Sequence, residues 1–385
     1  MQFPKIKKEL FFSVEEYEQR LARFRAEMVQ AGIEVMLVTV AENVYYLSGY
    51  QTLAFQGYQA LVVPLEGKPY FVVRYMESML VAHLSWIDEV ETWDDTEDPA
   101  SVTVDTLRAR SLAEKVVGIE EAGQFLSVSM WKALSTGLPK LRNGTGLAER
   151  CRACKSPQEI TYMRKAARLT DIGLEAAVEE ARAGVTENDV GAAIFDAMTR
   201  AGSDYLCLDP IVTSGPRSGV PHTTYYRRAL EPGDTLLLEF SGVFHRYHAP
   251  RMRGVAIGPV SPLVERMANV CIEALDAAIA SIRPGVTGGE IDAAARRIIE
   301  REGLWENYRK RAGYSVGCGF ATWTEGLILS LHSTDRTPLE PGMCVHLPMA
   351  LRYYGEAGLG FSETVLVTET GAEPLGSFPR RLVVR

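Results

Sequence analysis

The chain has 385 residues, 46% apolar and 23% charged, with 49 acidic against 41 basic side chains and a net charge of −8. That length suits two domains rather than one, each able to bury a core without staples. The acidic balance argues against a nucleic-acid binder, and no run approaches the eighteen apolar residues of a membrane helix. Lys5, Lys7 and Lys8 precede no apolar stretch, so no signal peptide is expected, and the six sparse cysteines read as reduced thiols of a cytoplasmic protein. Cys151 and Cys154 form a C-x-x-C pair, but no second pair completes a zinc site.

Ser13 followed by Glu16 is a capping-box pattern, and Val14, Tyr17, Leu21, Phe24 and Met28 recur at helical spacing up to Gly32. The spacing predicts a helix over 13–31, then strands at 33–40, 60–64 and 70–73, a helix near 76–84 and a strand at 116–120. Strands alternating with helices indicate an α/β first domain, residues 1–150. Ser156, Pro157 and Glu159 then open a long helix over 157–182. The second domain, 151–385, reads as helices followed by strands at 235–240, 254–258, 343–349 and 364–368, with helices at 261–282 and 288–302. Pro232-Gly233 and Pro341-Gly342 each precede a strand, which hints at an internal duplication.

Five segments carry a family resemblance. They are Lys155-Ser156-Pro157-Gln158-Glu159-Ile160; Ser214-Gly215-Pro216 with Pro221-His222; Gly233-Asp234 through Glu239-Phe240; Leu339-Glu340-Pro341-Gly342-Met343; and Glu363-Thr364 through Thr368-Glu369. In this order they resemble the creatinase/prolidase/methionine aminopeptidase superfamily. The resemblance implies an α/β creatinase-like N-terminal domain and an α+β pita-bread catalytic domain. Metallopeptidases of that superfamily bind two metal ions through two Asp, one His and two Glu. The resemblance places those positions on Glu239, at or next to Pro250, on Tyr314, on Pro348 and on Ser362 beside Glu363. Proline offers no ligand atom, and the oxygens of Tyr and Ser stay protonated at neutral pH, so no metal and no other cofactor is expected.

Among metal-free relatives, the chain resembles ectoine hydrolase more closely than creatinase. The shared phrases are His245-Arg246-Tyr247-His248 with Pro250, Gly313-Tyr314 with Gly317, Trp323 with Glu325, His346 and Glu363. Creatinase carries an acid near Met252 and an arginine near Gln56, which counts against creatine here. The implied activity is hydrolysis of a non-peptide C–N bond in a small cationic or zwitterionic compound, such as a cyclic amidine or guanidino acid.

Histidine is the side chain suited to moving protons near neutral pH, and His222 lies in a loop rather than on an apolar face. It is expected to be the general acid/base. Glu239 ends an apolar strand, where a carboxylate is costly unless it has a task or a partner; it and Glu363 are expected to hold the cation or attack as nucleophile. Phe55, Tyr247, His248, Arg251, Tyr314, Trp323, Glu325 and His346 are expected to line the substrate site. Asn43 to Tyr50 resembles a family segment near the active site, often from the partner subunit, which implies a homodimer whose N-terminal domain contributes to its partner's site. The alternatives are a metal-dependent Xaa-Pro dipeptidase or aminopeptidase P-like enzyme, and an inactive binding module of the same fold.

Overall fold

The computed structural model describes residues 7–385, so Lys5 lies outside the described residues. Two compact units divide after Arg152, two residues beyond the boundary read from the sequence. No helix among the described residues is long and apolar enough to cross a membrane, and all six cysteines are free thiols.

The first unit opens with α1 (Val14–Ala31), capped by the Ser13 side chain and closed by Gly32 in the left-handed conformation that glycine tolerates. In chain order there follow β1 (Val35–Val38), α2 (Ala41–Ser48), β2 (Ala60–Pro64), β3 (Tyr70–Arg74), α3 (Ser78–Leu84), β4 (Val90–Trp93), α4 (Pro99–Ala109), β5 (Val117–Ile119), α5 (Val128–Gly137), β6 (Leu141–Asn143) and α6 (Leu147–Ala153). The strands make one mixed sheet in the order β4-β3-β2-β1-β5-β6. Val35 and Leu37 join the core on one face and Met36 and Val38 the core on the other. A strand buried on both faces has no polar alternation, which is why its sequence is continuously apolar.

The second unit repeats one plan. Helices α7 (Pro157–Glu180) and α8 (Glu187–Arg200) are followed by strands β7 (Ile211–Ser214) and β8 (Thr235–Phe240), a small hairpin of β9 (Val243–Phe244) and β10 (Tyr247–His248), and β11 (Arg251–Ala256). Helices α9 (Pro262–Ser281), α10 (Gly288–Arg301) and the short α11 (Trp305–Tyr308) precede β12 (Gly313–Ser315), β13 (Ser330–Leu331), β14 (Cys344–Tyr353), β15 (Ala357–Val367), β16 (Ala372–Pro374) and β17 (Val383–Val384). One sheet runs β17-β11-β8-β7 and the other β13-β12-β14-β15-β16. The helix pair α7/α8 packs on the first sheet through Leu174, Ile194, Leu236, Leu238 and Phe240. The pair α9/α10 packs on the second through Leu275, Ile291, Leu347, Met349, Phe361 and Val365. This is the duplication hinted at by the two Pro-Gly turns.

The pleat then decides which residues are free to build a site. Residues alternate between faces along a strand. Since Leu236, Leu238 and Phe240 face helices, Leu237 and Glu239 face the other way, and Met252 joins them by pairing with Glu239. On β14 and β15, Leu347, Met349, Phe361 and Val365 face helices. His346, Pro348, Ala350 and Arg352 therefore share the opposite face with Ser362 and Thr364. Glu363 pairs with Leu347 and so lies on the helix-facing rows, away from Pro348 and Ser362.

Glu363 is buried and forms ion pairs with Arg251 Nε at 3.1 Å and an Arg253 nitrogen at 2.5 Å. Arg251 also pairs with Asp171 of α7, and Arg253 donates to the Ser362 carbonyl at 2.7 Å. These bonds tie β11 of one sheet to β15 of the other. A second tie lies at the turn 215–219: the Ser218 hydroxyl bonds Thr235 and accepts from Gly358 N–H at 2.7 Å. Gly358 has no room for a side chain, because a Cβ there would strike the Ser218 carbonyl.

Two outcomes check this arrangement. Glu363→Gln leaves two buried guanidinium groups short of a counter-charge and should cost about 3–5 kcal/mol, read as a lower denaturant midpoint; an unchanged midpoint would mean the pair is not what joins the sheets. Gly358→Ala should cost about 1–3 kcal/mol through overpacking, measured in the same unfolding assay.

Candidate active site

A cleft of about 600 Å³ opens in the second unit, within the range of small-molecule sites. Its floor is the row set by the pleat: Ile211, Thr213, Leu237, Glu239 and Met252, faced by Pro348 and Arg352. Val220, Pro221 and His222 line it from the loop after the 215–219 turn, and residues 306–311 with Tyr314 line it from the segment between α10 and β12.

His222 is exposed and has φ of 61°, a conformation rare for a residue with a Cβ. Such outliers persist where the surroundings hold them, and they concentrate at functional positions. Glu239 is 9% exposed. Burial pushes its carboxyl above the usual carboxylate range, and the charges of Lys310, Arg352 and His222 pull against that shift. Tyr314 sits beside them; burial and the neighbouring Glu239 raise its phenol, outweighing hydrogen bonds with Trp323 and Thr324, so it stays protonated.

Of the residues expected from the sequence, the cleft brings together His222, Glu239 and Tyr314. The others are placed elsewhere. Glu363 is held by Arg251 and Arg253, as described, and Arg251 remains cationic, lowered only to about 10 by burial against the pull of Glu363. Tyr247 is buried and donates to Glu159 at 2.7 Å. His248 is buried, and burial lowers it to about 3 against the opposing backbone hydrogen bonds of Gly317 and Arg246, so it is neutral. Glu325 pairs with Lys155 at 2.8 Å inside the unit and accepts from Ser315. Phe55 belongs to the first unit, edge-on to Phe125 with centroids 5.6 Å apart.

His346 and Trp323 act on Tyr314 from behind. Met252 N–H donates to Ser362 Oγ at 2.6 Å, and Ser362 Oγ meets His346 Nε2 at 2.6 Å. A serine hydroxyl has one proton and two acceptor sites, so the Ser362–His346 contact is satisfied by either tautomer of the ring. Burial lowers His346 far below its ordinary value, so the ring is neutral and holds a single proton. Nδ1 lies 3.0 Å from the Tyr314 hydroxyl, to which Trp323 Nε1 donates at 3.2 Å.

The two-metal centre of the resembling metallopeptidases does not fit these residues. Of the five matching positions, Pro348 and Pro250 have no ligand atom; the Pro250 carbonyl is taken by the Thr364 hydroxyl at 2.8 Å. Ser362 is bound to His346 and Met252, and Tyr314 is neutral. Among the described residues, no group of three or more His, Cys, Asp or Glu side chains could hold a metal ion.

Sequence reasoning missed Lys310, Arg311 and Arg352, which all line the cleft. The signal for Arg352 was the pleat: it shares parity with Pro348 on a strand that runs four residues past the expected end. Lys310 and Arg311 stand just ahead of the Gly313-Tyr314 motif.

The comparisons with known proteins agree with this architecture. Residues 161–369 match the metallopeptidase family M24, and residues 20–154 match the creatinase/prolidase N-terminal domain. The chain is 30% identical to the ectoine hydrolase of Halomonas elongata, over 97% of this chain and 98% of that protein. It is 27% identical to the solved dipeptidase PepE from Mycobacterium ulcerans, with a TM-score of 0.85 over 97% of this chain and 99% of the other. The Xaa-Pro dipeptidase from Bacillus anthracis, 23% identical, shares the fold with a TM-score of 0.85 over 96% of this chain and all of that one. The chain therefore belongs to metallopeptidase family M24, as an enzyme with a creatinase-type N-terminal domain and a pita-bread C-terminal domain.

Proposed function

We propose that the chain is a metal-independent hydrolase of a non-peptide C–N bond in a small nitrogen compound of the cyclic amidine or guanidino acid type. The observation that carries this reading is the cleft itself. It presents a carboxylate, an imidazole and a neutral phenol where the metallopeptidase pattern would need five ligands, and two of those five positions are proline. Full-length similarity to ectoine hydrolase supports the same class of reaction.

In this reading Glu239 accepts charge-assisted hydrogen bonds from the substrate's amidinium or guanidinium N–H groups. His222 takes a proton from water as the oxygen bonds to the electrophilic carbon, giving a tetrahedral intermediate. Tyr314, whose oxygen accepts from Trp323 Nε1, offers its hydroxyl proton to that intermediate in the tautomer that places the His346 proton on Nδ1. His222 then passes the proton to the departing nitrogen, and the C–N bond breaks to leave an amide or urea and an amine. Glu363 contributes by fixing β11 against β15, which sets Met252 and Ser362 in register.

A peptidase reading is favoured by the similarity to PepE. It requires a metal ion or another way to polarise a peptide carbonyl, and the donor set described above suits neither hard divalent cations nor their bridging.

The deciding experiment is a mass-spectrometric assay of ectoine, hydroxyectoine, creatine, other guanidino acids and prolyl dipeptides, with elemental analysis of the same preparation. Turnover of an amidine or guanidino acid that survives chelators, with no stoichiometric Zn, Mn, Co or Fe, is expected; prolyl dipeptide cleavage with two metals per chain would sink the reading. His222→Ala should lower turnover by about 10²-fold or more while the unfolding midpoint holds. If Glu239 acts as the anion, kcat/KM falls as pH drops through its folded pKa. Burial places that inflection above the ordinary carboxylate value, and Glu239→Gln should remove that proton from the acid limb and make it shallower.

A further inference from the structure

The charges around the cleft do not balance. Its lining holds four cations, Arg309, Lys310, Arg311 and Arg352, against two carboxylates, Glu239 and Glu306. Arg309 is paired with Glu306 at the exposed rim. Arg311 donates to the Ser330 hydroxyl at 2.5 Å and lies over the Tyr314 ring, 4.9 Å from its centroid. Two cations remain. Arg352 keeps a buried Nε with no hydrogen-bond partner. Lys310 forms no ion pair or hydrogen bond among the described residues; its nearest recorded aromatic contact is the Tyr308 ring, 5.7 Å away.

We infer that Lys310 and Arg352 form a carboxylate-binding subsite, so that the substrate is a zwitterion whose carboxylate meets this pair while its nitrogen cation meets Glu239. This deepens the hydrolase reading and rests on it for the word substrate, though not for the anion site itself. A cation withdrawn from water without its own counter-charge is costly, and these two side chains share the pull of one carboxylate, Glu239. A guanidinium fork beside an ammonium is the arrangement that a planar carboxylate satisfies. Glu239 alone cannot neutralise both cations and also hold a cationic substrate.

A further property is consistent. Burial and the nearby Arg352 lower Lys310 to about 8 against the opposing pull of Glu239. A bound carboxylate would reverse that shift, and the free amine should be unusually ready to acylate near neutral pH.

The test uses the full chain and N-succinimidyl acetate, a neutral reagent, with acylation of Lys310 followed by peptide mass spectrometry. Acetate should slow acylation of Lys310 by about fivefold or more relative to chloride at equal ionic strength, acetamide should not, and Arg352→Gln should abolish the protection. Equal rates in acetate and chloride overturn the inference. So does a Lys310 that fails to react, since an unpartnered amine open to the cleft must react, and so does protection that survives Arg352→Gln. A second arm compares turnover of ectoine with that of its carboxamide. Lys310→Gln should raise KM for ectoine about tenfold with little effect on the carboxamide, and Lys310→Arg should restore it. Acetate protection without turnover of any amidine would remove the hydrolase reading and keep the subsite. Turnover with an unchanged KM in Lys310→Gln would do the reverse.

Discussion

Glu363 is held between two guanidinium groups that would otherwise be stranded in the protein interior. Arg251 and Arg253 sit on β11, and Glu363 sits on β15, so the ion cluster spans the two sheets of the catalytic unit. Asp171 brings α7 into the same cluster, accepting from Ser377 N–H at 2.8 Å as well. Buried charges of this kind give little net stability compared with an apolar core. What they provide is a fixed geometry, because each oxygen and nitrogen has one direction in which it is satisfied. The cleft residues Glu239 and Met252 on one sheet, and Pro348 and Arg352 on the other, keep their spacing through this joint.

The joint also organises the row of side chains at the positions of the family's metal-binding pattern. Once β11 and β15 are fixed, Met252 N–H reaches Ser362, and a run of hydrogen bonds leads through His346 to Tyr314. Serine, histidine and tyrosine here occupy the rows where the family pattern asks for carboxylate and histidine ligands. A backbone amide anchors the run at one end and the phenol closes it at the other. In the proposed reading, the Tyr314 hydroxyl stands in for the charge by which a metal ion polarises substrate. That weaker device suits a substrate that already carries its own positive charge at the reacting carbon, and it is poorly matched to a neutral peptide bond.

Much of the architecture was legible in the sequence. Ser13 and Ser156 both cap their helices as the sequence pattern indicated, and the apolar run at 235–240 gave its strand without error. The family motifs placed His222, Glu239 and Tyr314 together in one cleft. What went astray followed from strand length. β15 begins at Ala357, seven residues before the expected start, because Gly358 and Gly360 belong to a tightly packed strand rather than to a turn. With the full strand in view, Glu363 has the parity of Phe361 and Val365 and faces helices. Likewise β14 continues to Tyr353, which carries Arg352 onto the cleft face. Tyr247, His248 and Glu325 resembled site residues by motif, but their environment is set by contacts such as Glu159 and Lys155 that are distant in sequence. No local pattern encodes those pairings.

The sequence left the substrate cationic or zwitterionic, with Glu239 and Glu363 both expected to hold the cation or attack as nucleophile. With Glu363 neutralised on the other face, a single buried carboxylate faces Lys310 and Arg352. Its charge is then not spare. It is the counter-ion of the basic wall until a ligand arrives that brings its own anion for that wall. A zwitterion satisfies both demands together, releasing Glu239 to a cationic nitrogen while its carboxylate takes over the wall. A simple cation would compete with Lys310 and Arg352 for one carboxylate, and a simple anion would leave Glu239 against its repulsion. The selectivity of the cleft therefore follows from charge separation across it, and the aromatic and apolar surfaces of Tyr314, Met252 and Pro348 need only shape the space between the two ends.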